Sequence, residues 1–503
     1  MKRLPSIIFA FFISLCLQAQ VSRLAENVQY FFSAEGTAGT GDNAPFWFTN
    51  NKYGLGTTQN FSGLARTALY RTAETDSLWF WRYGYGIDLA SPINDENGYF
   101  CIQQAYVDIE WKVLRLSLGQ KERVSELKNA SLSTGGLVLG QNARPIPQVR
   151  AEMPYFWVVP GTRDLFAFKG HIAYGWYTDA SWQRKFNAGS NNIYTKGSMF
   201  HSKALFLRVG NRKKFPLEVT GGLEMACQFG GTAWNIQPYG NAQLLQDVKL
   251  GGSLWSAFLP SGGDVNDENY TNAAGNHIGS WHLRLDWYAK TWLLGIYMEH
   301  LFEDHSQMFT QYGWNDMLLG LELNLPKNPY VTTLLYEYNT TMDQSGPIYH
   351  DTTQENPTQI SARDDYYNNH IYGAWQMGGF VMGNPLIISP IYNSYFQNEG
   401  LIGTLHNRTQ SHHIGIKGQP SSEWAWRALY THQRSLGVYK KPTINPATAN
   451  YLLLETSYSP KWCQGLTITA AYGHNDGTLL GSSNAAMLGV RFSGWLQRTQ
   501  WDY

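Results

Sequence analysis

Few side chains in this sequence have the type and spacing for covalent chemistry. Ser280, His282 and Asp286 come nearest. Alternate residues of a strand share a face, so these would offer a hydroxyl, an imidazole and a carboxylate as nucleophile, base and orienting group. Two residues of extended chain put neighbours on one face about 7 Å apart, which predicts that no triad forms without a bend. Glu303, Asp304 and His305 form an acid/base cluster, but they close a strand-like stretch, where hydrated charges are usual. His412 and His413 are adjacent, so a strand turns them to opposite faces and they cannot share a metal. Asp264, Asn266, Asp267 and Glu268 have the oxygen density of a calcium loop without the glycine an EF-hand needs at its sixth position. Gly39-Thr40-Gly41 imitates a dinucleotide fingerprint, yet Pro45 and aromatic residues follow where a helix should open. There is no Gly-x-Ser-x-Gly elbow, His-Glu-x-x-His pair or phosphate-binding loop. The expectation is no catalytic residue, no metal and no cofactor.

Non-covalent chemistry is better represented. Indole and phenol rings stack on the apolar faces of sugars, and planar polar groups bond their hydroxyls. Such mixtures occur at Phe46–Phe48, Trp182–Lys185, Trp234–Tyr239 and Asp364–Tyr367. Trp182, Arg184, Trp234, Asp364, Asp365 and Tyr366 are therefore the candidate sugar-binding residues. The same composition also builds an interfacial aromatic girdle.

The elements that must position these residues are strands. Between 77 and 89, Trp79, Trp81, Tyr83, Tyr85, Ile87 and Leu89 occupy odd positions, while Arg82, Gly84, Gly86 and Asp88 occupy even ones. One face is an apolar band to set against lipid and the other suits a lumen, with Arg82 and Asp88 inward. The pattern recurs near 61–72, 99–120, 166–176, 203–229, 281–301, 316–340, 411–433, 450–474 and 485–493, with weaker stretches near 29–35 and 371–390. This predicts an all-β chain: a transmembrane antiparallel β-barrel of about 16–18 strands with long extracellular loops. The longer gaps, rich in Gly, Asn, Asp and Ser, are 36–60, 121–164, 178–202, 230–280, 341–370 and 391–410.

Composition agrees. Charged residues make up 15% of the 503-residue chain and aromatics 15%, including 19 Trp and 31 Tyr. A formal net charge of +0 and the lack of a long basic run exclude nucleic acid as a partner. Lys2 and Arg3 precede an apolar run from Ile7 to Leu17, and Leu17-Gln18-Ala19 fits a signal-peptidase site. Residues 1–19 thus read as a signal peptide and 20–503 as one barrel domain in the outer membrane. Cys16 follows Leu15 where a lipoprotein signal wants a small residue. Cys101, Cys227 and Cys463 are expected as small apolar residues on strand faces. Either Phe492 or Tyr503 would supply the terminal aromatic of an exported barrel.

Several segments go beyond barrel character. Leu118-Gly119-Gln120-Lys121-Glu122 leads to Ser133-Thr134-Gly135-Gly136, then to Gln141-Asn142-Ala143-Arg144-Pro145-Ile146-Pro147-Gln148. Later come Tyr336-Glu337-Tyr338, Gln344-Ser345-Gly346-Pro347-Ile348-Tyr349-His350-Asp351 and Gly383-Asn384-Pro385-Leu386. Together they resemble the Wzi-type capsule assembly family in its Bacteroides-like form, over essentially the whole mature chain. The resemblance implies a barrel of about eighteen strands with a lectin-like role, binding capsular polysaccharide and holding it at the cell surface. It implies a monomer in outer-membrane lipid, not an enzyme. It also implies a small helical element at the periplasmic end, for which 121–135 is the one fitting stretch. The alternative is a channel or porin for small solutes or oligosaccharides. A channel should line its lumen with charge of one sign, whereas the inward positions here mix Gly, Thr, Gln, Arg and Asp.

Overall fold

The computed structural model describes residues 26–73, 81–94, 100–236, 245, 247–259, 275–303, 314–326, 328–344, 349–350, 360–361 and 365–496. Period-2 alternation builds eighteen long strands. The first nine are β1 Gln29–Gly41, β2 Phe61–Arg71, β3 Trp81–Ile93, β4 Cys101–Trp111, β5 Leu114–Gln120, β6 Gln148–Val158, β7 Phe166–Trp176, β8 Met199–Val209 and β9 Leu217–Phe229. The rest are β10 Asn276–Tyr288, β11 Leu293–Glu303, β12 Met317–Asn324, β13 Thr333–Thr340, β14 Thr409–Gly418, β15 Trp424–Val438, β16 Lys441–Tyr458, β17 Leu466–Gly477 and β18 Ser483–Trp495. Each pairs antiparallel with the next, and β18 returns to β1, with Gln29 opposite Trp495 and Gly41 opposite Ser483. The wall has no free edge, so its backbone polar groups are satisfied within the sheet, as hydrocarbon demands.

The two faces separate as the alternation requires. In β3, Trp81 and Ile87 point outward at 59% and 46% exposure, while Asp88 is buried and pairs with Arg66 of β2. Arg82 also points inward, 2.8 Å from Glu110 of β4. Trp79 lies outside the described residues. Aromatic pairs rim the apolar band at the end that holds Gln29 and Trp495: Trp81 with Trp111 at 6.1 Å, Phe215 with Trp287 at 5.7 Å, and Trp424 with Tyr458 at 4.6 Å. That end has the short turns, such as 112–113, 289–292 and 419–423. The opposite end carries the connections 42–60, 121–147, 177–198, 230–275 and 341–408. Short turns face the periplasm in such barrels and long loops face outward.

Four expectations are corrected. Residues 371–390 form no wall strand; they belong to the β13–β14 connection, with only two-residue ladders such as Gln376–Met377 against Phe380–Val381. Their apolar character reflects burial, since Trp375, Phe380, Ile387 and Ile388 are all enclosed. Conversely β6 lies within a stretch read as loop. Pro154 interrupts its pattern, and its register against β7 shifts between Met153 and Trp157. Residues 121–135 form turns and bends, and they lie in the lumen rather than as a periplasmic helix. Cys101, Cys227 and Cys463 form no disulfide; the first two lie on strands and Cys463 in a periplasmic turn. Phe492 points outward from β18 at 42% exposure, while Tyr503 lies outside the described residues.

The lumen is a packed core. Helix α1, Phe46–Thr49, is buried from the β1–β2 loop, with Phe46 stacked on Tyr451 of β16 at 4.2 Å and Trp47 edge-on to His413 of β14 at 5.4 Å. Leu132, Leu137, Val138, Tyr367, Trp375 and Tyr392 join the same apolar cluster. No helix among the described residues is long and apolar enough to cross a membrane.

Candidate functional site

Residues 121–147 leave the outer end of β5 and run down inside the wall. Glutamates at inward strand positions hold them there. Glu337 of β13 accepts hydrogen bonds from Ser133 Oγ at 2.6 Å, from Thr134 N and Oγ1 at 2.8 Å each, and from Tyr297 Oη at 2.6 Å. Glu299 of β11 takes the Lys128 ammonium and Leu137 N at 2.8 Å. Glu322 of β12 takes Asn129 Nδ2 at 2.8 Å. The His413 imidazole donates through Nε2 to Leu132 O at 2.7 Å, and Arg284 Nη1 to Leu127 O at 2.8 Å. A buried carboxylate costs several kcal/mol unless its lone pairs are met, and the segment's amides and hydroxyls meet them. The β13–β14 connection locks the segment from above: Trp375 Nε1 donates to Val138 O at 2.9 Å and Asn384 Nδ2 to Thr134 Oγ1 at 2.9 Å. Below, residues 124–131 roof a chamber of about 630 Å³ whose lining includes Lys169, Arg208, Glu218, Arg284, Asp286 and Tyr288. These lie at the periplasmic ends of their strands.

Ser280 and His282 meet although they are two residues apart, but they form no triad with Asp286. Ser280 Oγ lies 2.9 Å from His282 Nε2, because the imidazole spans the gap between same-face neighbours. Asp286 does not join them; both its oxygens accept from Arg284 Nε, at 2.9 and 3.0 Å. Glu224 of β9 and Glu299 take its place, each 3.8 Å from His282 Nε2. Sequence reading missed both, since neither is near Ser280 in the chain; only their inward positions on neighbouring strands signalled them. A serine base needs one ring nitrogen on the hydroxyl and the other held by a carboxylate. Here one nitrogen faces both, and Ser280 Oγ also lies 3.0 Å from Glu299 Oε1. Ligand atoms of Glu224, His282 and Glu299 lie within 4.8 Å of one another, a donor set that suits a divalent ion. Lys128, itself buried, already supplies the cation on Glu299. The cluster braces the lumenal segment.

The candidate sugar contacts divide between two layers. Trp182 and Arg184 lie on α2, Ala180–Phe186. Trp182 is half-buried, stacks on Phe186 at 4.7 Å and backs onto Gly379; Arg184 is exposed. Trp234, also half-buried, stacks on Tyr194 at 5.1 Å with 6° between the rings. The short strands Tyr194–Lys196, Thr232–Trp234 and Val248–Lys249 form one small sheet, and Thr195 N donates to Gln183 Oε1 of α2 at 2.9 Å. The structure therefore gathers Trp182, Arg184 and Trp234 in one outer cap. Sequence reading missed Tyr194, because its pairing with Trp234 joins two separate loops. Asp179 anchors α2, accepting from Gln376 Nε2 at 2.9 Å, Gly378 N at 3.1 Å and Gln183 Nε2 at 3.1 Å. Burial pushes its carboxyl up from the usual range, against those hydrogen bonds.

Asp365 and Tyr366 belong to the inner layer. Asp365 is half-buried and accepts from Asn368 Nδ2 at 3.0 Å and Asn407 Nδ2 at 2.5 Å. Tyr366 is fully buried, so its ring packs the core and cannot stack on a ligand outside. Asp364 lies outside the described residues.

A closed wall, apolar outside and rimmed by aromatics, defines an outer-membrane β-barrel. Among solved structures, it is similar to Escherichia coli Wzi, an outer membrane protein involved in group 1 capsule assembly and described as a carbohydrate binding β-barrel. Identity is 12%, covering 95% of this chain and 87% of that one, with a TM-score of 0.55. Pseudomonas aeruginosa OpdK, solved with vanillate, gives 9% identity over 93% and 98% of the two chains at a TM-score of 0.46. Pseudomonas aeruginosa OprD gives 8% over 93% and 94% at 0.44. The first of these likenesses supports the fold. No protein-family model matches the sequence, and neither does any curated protein sequence.

Proposed function

We propose that this barrel binds long surface polysaccharide at the outer face of the membrane, without cleaving it, and helps attach or assemble a capsule. One observation carries the reading: the outer loops are spent on filling the lumen and on building a cap with stacked aromatics and exposed cations. Packed side chains of 121–147 and 366–392 stand where a solute path would run, which favours binding over conduction. In the cap, Trp182 and Trp234 are half-exposed stacked rings, and Arg184 and Lys185 of α2 are exposed. The Asn-Ala-Arg-Pro-Ile-Pro and Ser-Gly-Pro-Ile-Tyr-His stretches support the same reading through their resemblance to Wzi-type proteins, and so does the likeness in fold to a barrel described as carbohydrate binding. Each contact is weak, so retention grows with the number of repeats engaged. The protein acts as a monomer in outer-membrane lipid.

The test is retention of purified protein on immobilised capsular polysaccharide, with Trp182→Ala and Trp234→Ala combined. The double variant should lose roughly tenfold or more in retention, as expected when multivalent contacts are cut, while its folded form still resists detergent until heated. Steady single-channel conductance by the wild type in planar bilayers, with no retention of polysaccharide, would replace this reading with a channel.

A further inference from the structure

From β13 to β17 the outer side of the wall carries polar residues in one continuous row. Tyr338 stands opposite His412, His412 opposite His432, His432 opposite Asn450, and Asn450 opposite Asp476. All sit at outward positions, with His412 and His432 exposed. One arrangement occurs twice. Tyr430 Oη donates to Asn450 Oδ1 at 3.0 Å, and His432 Nδ1 lies 2.9 Å from the same oxygen. On the next pair of strands, Tyr472 Oη and His474 Nδ1 meet Asn484 Oδ1 at 2.7 and 2.9 Å. These bonds hold the Nδ1 edge of each ring on the wall, and His474 Nε2 lies 3.9 Å from Asp476 Oδ2.

The height of the row follows from β15. Trp424 marks the periplasmic girdle. With a rise of about 3.3 Å per residue and a tilt of about 40°, His432 is about 20 Å above it and Arg434 about 25 Å. An apolar band is about 25 Å tall, so Arg434 stands at its outer boundary. Arg434 is exposed and has no acidic partner among the described residues. Arg408 lies 3.8 Å from the Tyr439 ring centre, and Lys440 and Lys441 are exposed beside it. The acids of this sector are engaged: Asp343 Oδ2 accepts from Asn315 Nδ2 at 3.0 Å, and Asp476 Oδ1 from Asn450 Nδ2 at 2.6 Å. On the far wall His201, Lys203 and His300 also face outward near the outer end, but there loops cover them. Phe258 O takes the Lys203 ammonium, and Trp314 stacks on His300 at 4.7 Å.

We propose that the exposed sector over β13–β17 is a docking site for the phosphate-bearing headgroup of an outer-leaflet lipid. Guanidinium groups match phosphate in geometry and charge, so Arg434 and Arg408 would hold the phosphate, with Lys441, opposite Val438 higher on the hairpin, adding positive charge above them. His432 would reach up toward headgroup hydroxyls from the top of the apolar band, while Tyr430, a turn of the pleat lower, holds the Asn450 that positions it. The surface stands apart from the sugar-binding cap, and neither reading depends on the other.

The full chain in nanodiscs of phosphatidylcholine, doped with spin-labelled phosphatidic acid or spin-labelled phosphatidylcholine, provides the test. Wild-type protein should hold a motionally restricted phosphatidic acid population in several-fold excess over phosphatidylcholine. Arg408→Gln, Arg434→Gln and Lys441→Gln together should bring the ratio near one, and Arg434→Gln alone should lower it measurably. Lys213→Gln, on a periplasmic turn, should leave it unchanged. Undiminished selectivity in a triple variant that still resists detergent until heated would overturn the site. An equal loss in Lys213→Gln would also overturn it, by showing that net charge alone attracts the lipid.

Discussion

Glu337 carries much of the attachment between wall and lumenal segment. Removing its carboxylate strands one buried amide and three hydroxyls, and each orphaned donor costs about 1–3 kcal/mol. Glu337→Ala should therefore release Thr134 and its neighbours, seen as loss of amide-exchange protection in 131–138 with the wall strands still protected. Glu337→Gln, which keeps the shape and an acceptor oxygen, should retain most of that protection. His406 predicts a pH dependence of the β13–β14 connection. Its Nδ1 lies 3.0 Å from Ser435 Oγ, and burial pushes its imidazole down to about 4. Because the folded state favours the neutral ring, this contribution is complete above the ordinary histidine value of about 6.5 and is lost as pH falls from there toward 4, by about 3 kcal/mol in all. Asp179 has the opposite sign: burial raises its carboxyl, so ionising it as pH rises weakens the cap. Exchange protection in 366–408 should drop between pH 6.5 and 4, and His406→Gln should remove that step. Single residues were the least legible scale in the sequence. Trp182 and Arg184 could be placed in a loop by composition, but the burial of Tyr366 depends on which loop folds inward. Glu224 and Glu299 reach His282 only through strand pairing.

At the scale of elements, the wall was readable because each strand repeats one rule over about ten residues. It failed where a residue broke the rule, as Pro154 does in β6, or where a loop was apolar for its own reasons, as in 371–390. The lumenal segment 121–147 carries no periodic signal, since side chains and amides secured one at a time hold it. Its fit to the wall is close at Gly415 of β14. A Cβ there would meet Leu132 Cβ and Leu132 O, each at 2.9 Å. Gly415→Val should push the segment off β14 at a cost of about 1–3 kcal/mol, typical of overpacking. In planar bilayers the variant should conduct more than wild type while its heat-modifiability is unchanged; equal conductance would mean that the rest of the core closes the lumen unaided.

The whole molecule has apolar side chains on both sides of one sheet, facing lipid outside and a packed core within. This explains a chain with few charges and, among its described residues, no helical span. Ile87 lies about 15 Å above the Trp81 girdle by the same rise and tilt, close to the middle of the band. Ile87→Arg should lower the free energy of folding into bilayers by about 2–4 kcal/mol, measured by urea titration of refolding into vesicles. The same change at Trp495, on the rim, should cost about 1 kcal/mol or less. The meeting of β1 with β18 has a consequence for how such a cylinder can be made. Its seam joins the first strand to the last, so the wall cannot zip shut until Ser483–Trp495 has been delivered, and every earlier intermediate has two raw margins. Because Gln29 and Trp495 meet at the same mouth, the order of strands is in effect a ring. A circular permutant with a short tether across the seam and new ends cut at 439–440, on the outer hairpin, should rebuild the same cylinder.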